Sequence, residues 1–196
     1  MTHAVAMRLG IVSALLFAAG SAVWALGWPV PGSDEATIAQ FYASRQARIE
    51  WGGAVSVLAL ALIVPFAAAV ALLIAQRNRI LAITAVVGAG ILTLAGASAE
   101  TINLAGAVRG PNDPTLARIL YEIPQVFGAY TSGIGLGLFA VAVALAGVLP
   151  REWSAITLII GVAEMTPASL FVREFAGAGY IVVALIIALT IHTEDA

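Results

Sequence analysis

Three glutamates lie within long apolar stretches of the chain, where their side chains are the ones most able to do chemistry. They are Glu100, Glu122 and Glu164. An ionisable side chain at bilayer depth costs about 2.5–3.5 kcal/mol on insertion scales, so such residues usually mark a ligand or ion pathway. A carboxylate binds cations and polar groups. A carboxyl group removed from water is also readily protonated, because desolvation penalises its charged form.

Polar side chains accompany two of these glutamates at helical spacing. Asn103 follows Glu100 by three residues and Gln125 follows Glu122 by three, so each pair shares one helix face. Tyr130 adds a hydroxyl group further along the same stretch as Gln125. These residue types predict a polar site rather than a purely apolar helix contact.

The three glutamates are predicted to lie in the same half of the bilayer. At about 1.5 Å per residue, Glu100 and Glu164 each lie roughly 13 Å from the arginine at the outer end of the predicted helix that contains them. Glu122 lies roughly 6 Å from the arginine at the outer end of its own helix. We therefore predict a ligand-binding or transport pocket that opens to the external face. Its predicted lining residues are Glu100, Asn103, Glu122, Gln125, Tyr130 and Glu164.

Two other interpretations of the same residues stay open. The glutamates can pair with nearby arginines, such as Arg118 one turn before Glu122, and stabilise a non-catalytic scaffold or accessory subunit. Alternatively, the carboxyl groups can support acid–base chemistry in an intramembrane enzyme. The sequence offers no nucleophile, metal motif or phosphate-binding loop for such an enzyme, so we expect no catalytic residues.

The amino-acid composition of the chain indicates that these residues lie in a membrane protein. Of 196 residues, 61% are hydrophobic and 10% are charged, whereas a soluble domain has about 25% charged residues. The net charge is −2 and all nine basic residues are arginine, so no basic patch favours nucleic acid. Cysteine is absent, and the two histidines, His3 and His192, lie at opposite ends of the chain. We therefore expect no bound metal and no cofactor.

Apolar run lengths predict an all-α, polytopic transmembrane bundle that forms a single domain over residues 1–196. A spanning helix needs about 20 mostly apolar residues. Six such spans are predicted, over residues 9–28, 51–75, 80–108, 120–149, 153–172 and 175–191. The first span also has features of a cleaved signal peptide, but its apolar run is long for one. Merging the last two spans would give one helix far longer than a bilayer requires, so six is the better count.

The first external loop is predicted to contain a short amphipathic helix over residues 33–50. Ser33 is the predicted N-cap, because a serine side chain can accept a hydrogen bond from the first turn. This helix either lies along the membrane surface or extends the second span outward. The arginines are divided almost evenly between the two sides, and the compact turn around Arg77 favours a cytoplasmic N-terminus and C-terminus.

Small residues predict close helix packing. Gly133 and Gly137 form a GxxxG pair, which lets helix backbones approach each other. Such a pair can join helices within one chain, or it can join two copies in a homo-oligomer or a larger membrane complex.

Several segments together resemble a known group of proteins. They are the proline-rich turn at residues 28–32, the acidic and aromatic stretch at 33–48, residues 116–118 before the fourth span, and the turn at 148–153. In this pattern the chain resembles a loose group of bacterial, especially actinobacterial, six-helix membrane proteins classed as domains of unknown function. The resemblance implies six helices and a bacterial inner membrane. It implies no activity and no functional residue.

Overall fold

The computed structural model describes residues 3–25, 27–29, 32–166 and 175–191, and within these residues the fold contains helices and no strands. The predicted all-α class is confirmed. The α-helices are α1 (His3–Ala25), α2 (Glu35–Ala75), α3 (Arg79–Arg109), α4 (Pro114–Val126), α5 (Ser132–Leu145), α6 (Arg151–Glu164) and α7 (Phe175–Thr190). A 3₁₀ turn (Gly110–Asn112) precedes α4, and a π-helical turn (Phe127–Thr131) joins α4 to α5.

Three helical stretches are long and apolar enough to cross a membrane, which indicates a membrane-embedded protein. They are Val5–Val23, Glu35–Ala75 and Arg79–Asn112. The apolar helices α5 and α7 have 14 and 16 residues. The π-helical turn directly precedes α5, and the residues directly before α7 lie outside the described part of the chain. The count of six spans and the orientation stay predictions.

No helix boundary separates the predicted loop helix at 33–50 from the second span. Instead, α2 runs without a break from Glu35 to Ala75, so residues 35–50 belong to the same helix as the predicted second span. The N-cap is Asp34 rather than Ser33, because Asp34 has extended backbone and its Oδ1 accepts a 2.8 Å hydrogen bond from the Thr37 amide. Ile38 and Ile49 of this segment are both buried.

Replacing Asp34 by alanine is expected to loosen the first turn of α2, because the Thr37 amide loses its acceptor. Hydrogen exchange at the Thr37 amide should become faster, whereas the control Asp34→Asn, which keeps an acceptor, should change it little. The bond from the Thr37 amide lowers the pKa of Asp34. The extra strength that the negative charge gives this bond is therefore present at neutral pH and is lost only as the pH falls through that lowered value. Unchanged exchange in Asp34→Ala would contradict this role.

The helices pack as antiparallel neighbours with two distinct ends. Gly10 of α1 faces Phe66 of α2, and Gly20 faces Ser56, so these two helices run in opposite directions. At one end, Arg77 in the α2–α3 turn donates a hydrogen bond to the carbonyl of Gly147 in the α5–α6 turn. We call this the turn end (residues 76–79 and 146–151). The opposite end is the loop end (residues 27–29, 32–42 and 106–121).

Two apolar clusters fill the described interior. The larger one lies between the helices toward the turn end and is centred on residues such as Phe66 and Phe139, whose rings are 6.3 Å apart. The smaller one holds the loop end together. In it, Trp28 stacks on Tyr121 at 5.3 Å and meets Phe41 edge-on at 5.1 Å. Tyr121 also donates a hydrogen bond to the carbonyl of Pro29.

The glycine pair predicted for close packing makes contacts within this chain. A Cβ placed on Gly133 would lie 2.8 Å from the carbonyl oxygen of Glu164, and one placed on Gly137 would lie 2.6 Å from the carbonyl oxygen of Gly161. Both neighbours belong to α6, so the pair lets α5 and α6 approach each other. A homo-oligomer or larger complex stays a prediction.

The predicted fourth and fifth spans differ from continuous α-helices. The helical run from Pro114 to Leu145 contains Pro124, whose missing N–H and bulky ring disturb the α-helical ladder, and the π-helical turn follows it. In the fifth predicted span, α6 begins at Arg151 and ends at Glu164. Residues 167–174 lie outside the described residues.

Candidate functional site

Glu164 is a fully buried carboxyl group with no hydrogen-bond partner. Its side chain is 1% exposed, and neither carboxylate oxygen has a partner. Two glycines make room for it. A Cβ on Gly179 of α7 would collide with Oε1, and a Cβ on Gly133 of α5 would lie 3.4 Å from Oε2. Glu164 therefore lies where α5, α6 and α7 meet, at a place that only residues without side chains leave open.

The electrostatic surroundings of Glu164 favour a positive charge. Glu164 is the last residue of α6, and the final carbonyl groups of a helix carry about half a negative charge. Thr166 donates a 2.7 Å hydrogen bond to the carbonyl of Ala163, and the Met165 amide donates a 3.2 Å bond to that of Val162. An ionised carboxylate beside this helix terminus is unfavourable until a proton or a cation joins it.

Two further hydroxyl groups on these helices are buried without partners. Ser132 precedes Gly133 on α5, and Thr157 lies seven residues before Glu164 on α6, which places it on the same helix face. Buried polar groups are normally hydrogen-bonded, and those that lack a protein partner commonly bind water or an ion. Buried, unpartnered hydroxyl groups are therefore present on α5 and α6 in addition to the Glu164 carboxyl group.

Glu100 and Asn103 lie together on a different contact, between α2 and α3. Glu100 is 8% exposed, and its Oε2 lies 3.6 Å from where a Cβ on Gly53 would be. Asn103 is also buried, and its Oδ1 has no hydrogen-bond partner. The spacing of three residues places both side chains on the face of α3 that packs against α2, as the sequence predicts.

Glu122 and Tyr130 lie on the surface rather than in the interior. The Arg118 Nε donates a 2.8 Å hydrogen bond to Glu122 Oε1, and about half of each side chain is exposed. Both Glu122 and Tyr130 line an open groove of about 360 Å³, whose other walls are Ile123, Val126 and Thr131. Gln125 is half-buried on α4.

The six predicted site residues are thus divided among three places. Glu164 contacts α5 and α7, Glu100 faces α2 with Asn103 beside it, and Glu122 shares a surface groove with Tyr130. The pairing of Glu122 with Arg118 agrees with the structural-network interpretation at that one position. A ligand-binding role for the six residues stays a prediction.

Three residues that bear on these sites are not among the predicted site residues. Gly133 was interpreted as a packing glycine, although it and Gly179 also make room for the Glu164 carboxyl group. Tyr42 lies in the segment predicted as the loop helix, and its hydroxyl group is buried without a partner. Of these features, the sequence indicates only the end of α6, because Pro167 disfavours helical backbone at the residue before it.

Within the described residues, no group of three histidine, cysteine, aspartate or glutamate side chains is placed to hold a metal ion. Comparison with known proteins gives no match: no family model matches the sequence, and neither a curated protein nor a solved structure matches this chain. The buried carboxyl groups of Glu164 and Glu100 are therefore the features of the structure that bear most directly on function.

Proposed function

We propose that this chain is an integral membrane protein of the bacterial inner membrane that binds a proton or a small monovalent cation at Glu164 and moves it across the bilayer. The observation that supports this is the carboxyl group itself, which is buried, lacks a partner and lies at the carbonyl end of α6. A bare carboxylate in such a place is costly, whereas a bound proton or cation neutralises both the carboxylate and the helix terminus.

The length of α6 supports a site within the bilayer. Its 14 residues span roughly 21 Å at about 1.5 Å per residue, and the hydrocarbon core is roughly 30 Å thick. If Arg151 lies at one membrane surface, Glu164 lies about two-thirds of the way across. Helices that end inside the membrane, with their free carbonyls at an ion site, are a recurring feature of secondary transporters.

The size of the site restricts what it can bind. The Glu164 oxygens lie against the backbones of Gly133 and Gly179, so a bound group must fit between two closely approaching helices. A proton or a single dehydrated cation meets that requirement, and a larger solute does not. The structural-network interpretation predicts an ion pair for Glu164; none is present among the described residues, and Arg173, a candidate partner, lies outside them.

Glu164→Gln is expected to abolish proton flux coupled to sodium, potassium or lithium in reconstituted vesicles, because an amide cannot neutralise a cation or release a proton. Vesicles containing the full chain and a trapped pH indicator would receive each salt from outside. The rate of internal pH change should fall to that of protein-free vesicles in Glu164→Gln. It should stay near the wild-type rate in Glu122→Gln, whose side chain is exposed and paired with Arg118.

The two variants form a matched pair, since both convert one glutamate of a predicted span to glutamine. If Glu164→Gln supports the same coupled flux as the wild type, Glu164 is not the site. If the wild type shows no coupled flux with any of the three salts, a membrane potential set by valinomycin tests for uncoupled proton flux. Absence of that flux too would contradict the proposed function.

A further inference from the structure

A row of three buried polar groups lies between α2 and α3, apart from Glu164. Tyr42 is fully buried and its hydroxyl group has no hydrogen-bond partner. The same is true of Asn103 Oδ1, on a side chain that is 4% exposed. Glu100 is the third member. Buried polar groups without protein partners are costly in an apolar interior, so their presence on one contact indicates something that satisfies them.

The three groups form a line along one stripe of α3. Glu100, Asn103 and Gly106 are three residues apart, which keeps them on one face. Gly106 carries no side chain, and the Tyr42 hydroxyl oxygen occupies its place, 2.6 Å from where a Cβ would be. Successive members are therefore separated by roughly 4.5 Å along the helix axis. A single water molecule bridges polar atoms at about this separation.

The line begins near the loop end and stops at Glu100. Gly106 lies one turn before the exposed Arg109, so the fully buried Tyr42 hydroxyl is the member of the row nearest the loop end. On the other side of Glu100, Gly96 packs against Leu60, and the larger apolar cluster follows. Water can be held along the polar line, but the apolar side chains beyond Glu100 offer it no partners.

We propose that Glu100 is a second proton-binding site, and that it exchanges its proton with water at the loop end through waters held by Asn103 and Tyr42. A proton from water at the loop end moves to the first bridging water, each bridging water passes one proton on as it receives another, and the last proton binds a carboxylate oxygen of Glu100. The Asn103 amide and the Tyr42 hydroxyl orient these waters. This site is independent of the cation or proton bound at Glu164.

Few other charged groups act on Glu100. Among the described residues of α2, Tyr42 is the titratable side chain on this contact, and Glu50 is half-buried and accepts a 2.9 Å bond from Gln46. From α4, Tyr121 packs near Tyr42 but donates its own hydrogen bond to Pro29. The π-helical turn approaches through Gly128, which meets Ala99 beside Glu100 and carries no charge.

Infrared spectroscopy of the full chain in lipid vesicles tests this proposal. The C=O band of a protonated carboxyl group shifts when its proton is replaced by a deuteron, so its rate of change in D₂O measures access to water. All variants would carry Glu164→Gln, which removes the other buried carboxyl group of the described residues. In this background, the remaining protonated-carboxyl band should disappear on adding Glu100→Gln.

Asn103→Leu should slow hydrogen–deuterium exchange at the Glu100 carboxyl group by roughly tenfold or more, because leucine cannot hold a bridging water. A tenfold slower rate corresponds to an activation barrier raised by about 1.4 kcal/mol. Asn103→Ser, which keeps a side-chain oxygen and adds no carboxyl band, should leave exchange fast and shows that the site tolerates substitution. Ser56→Ala should also leave it fast, because Ser56 is a buried, unpartnered hydroxyl on α2 that faces Gly20 of α1 instead.

The proposal is overturned if Glu100→Gln removes no band, or if Asn103→Leu exchanges as fast as its parent. It is also overturned if Asn103→Ser slows exchange as much as Asn103→Leu, since the effect would then reflect altered packing. Because Glu164 is replaced throughout, each of these outcomes is independent of whether Glu164 moves ions.

Discussion

Gly88→Ala is expected to lower the melting temperature of the purified protein by roughly 6–12 °C. The new Cβ would lie 2.5 Å from the Phe139 amide nitrogen and 2.7 Å from the Gly135 carbonyl oxygen. Both atoms belong to the backbone of α5, so no side-chain rotation relieves the contact and the two helices must separate. Overpacking costs about 1–3 kcal/mol. A cost of about 3 kcal/mol corresponds to this temperature shift for a chain of about 150–250 residues.

Gly90→Ala is the matched control for this substitution. It makes the same chemical change in the same helix only two residues away, but Gly90 is exposed and nothing lies within 4 Å of its added Cβ. Alanine is favoured over glycine inside a helix by about 0.8–1.0 kcal/mol. The melting temperature of Gly90→Ala should therefore stay level or rise slightly. Tryptophan fluorescence during heating gives the melting temperature of each variant. Equal melting temperatures would contradict the contact between α3 and α5.

These two glycines show what the sequence can and cannot specify. Long apolar runs predict helices directly, because run length and composition are local properties, and three helices suitable for spanning a membrane are present. Gly88 and Gly90 look equivalent in sequence, yet only one meets another helix. Which face of a helix contacts a neighbour depends on how all the helices assemble, and that information is not local.

The same distinction explains the outcome for the candidate site. The spacing of Arg118 and Glu122 predicts their pairing, and the structure contains it, because residues four apart are neighbours on any helix. The spacing of Glu100 and Asn103 likewise predicts a shared face. No spacing within one helix specifies that Glu164 meets Gly179, fifteen residues later on another helix. Predicted depth alone could not distinguish one shared pocket from separate contacts.

The Gly179 contact gives the second large expected effect. Gly179→Ala should destabilise the protein by about 1–3 kcal/mol, the usual cost of overpacking, because its Cβ would overlap the Glu164 carboxyl oxygen and approach the Ile160 side chain to 3.3 Å. A carboxyl group is often mobile enough to move aside. Here it is buried on all sides, so moving it disturbs α5 as well as α7.

A double-mutant cycle isolates this contact. Glu164→Ala removes the overlapping atoms, so Gly179→Ala should cost less in that background, with a coupling energy of about 0.5–3 kcal/mol between the two positions. Glu164→Gln has the same size as glutamate and should give no such relief. Gly177→Ala is the control, because its Cβ meets Phe17 at 3.2 Å rather than Glu164, and its effect should add to that of Glu164→Ala within about 0.5 kcal/mol. If the effects of Gly179→Ala and Glu164→Ala on stability also add, the Glu164 carboxyl group does not lie against α7. The argument that only a proton or a small cation fits at Glu164 would then have no support.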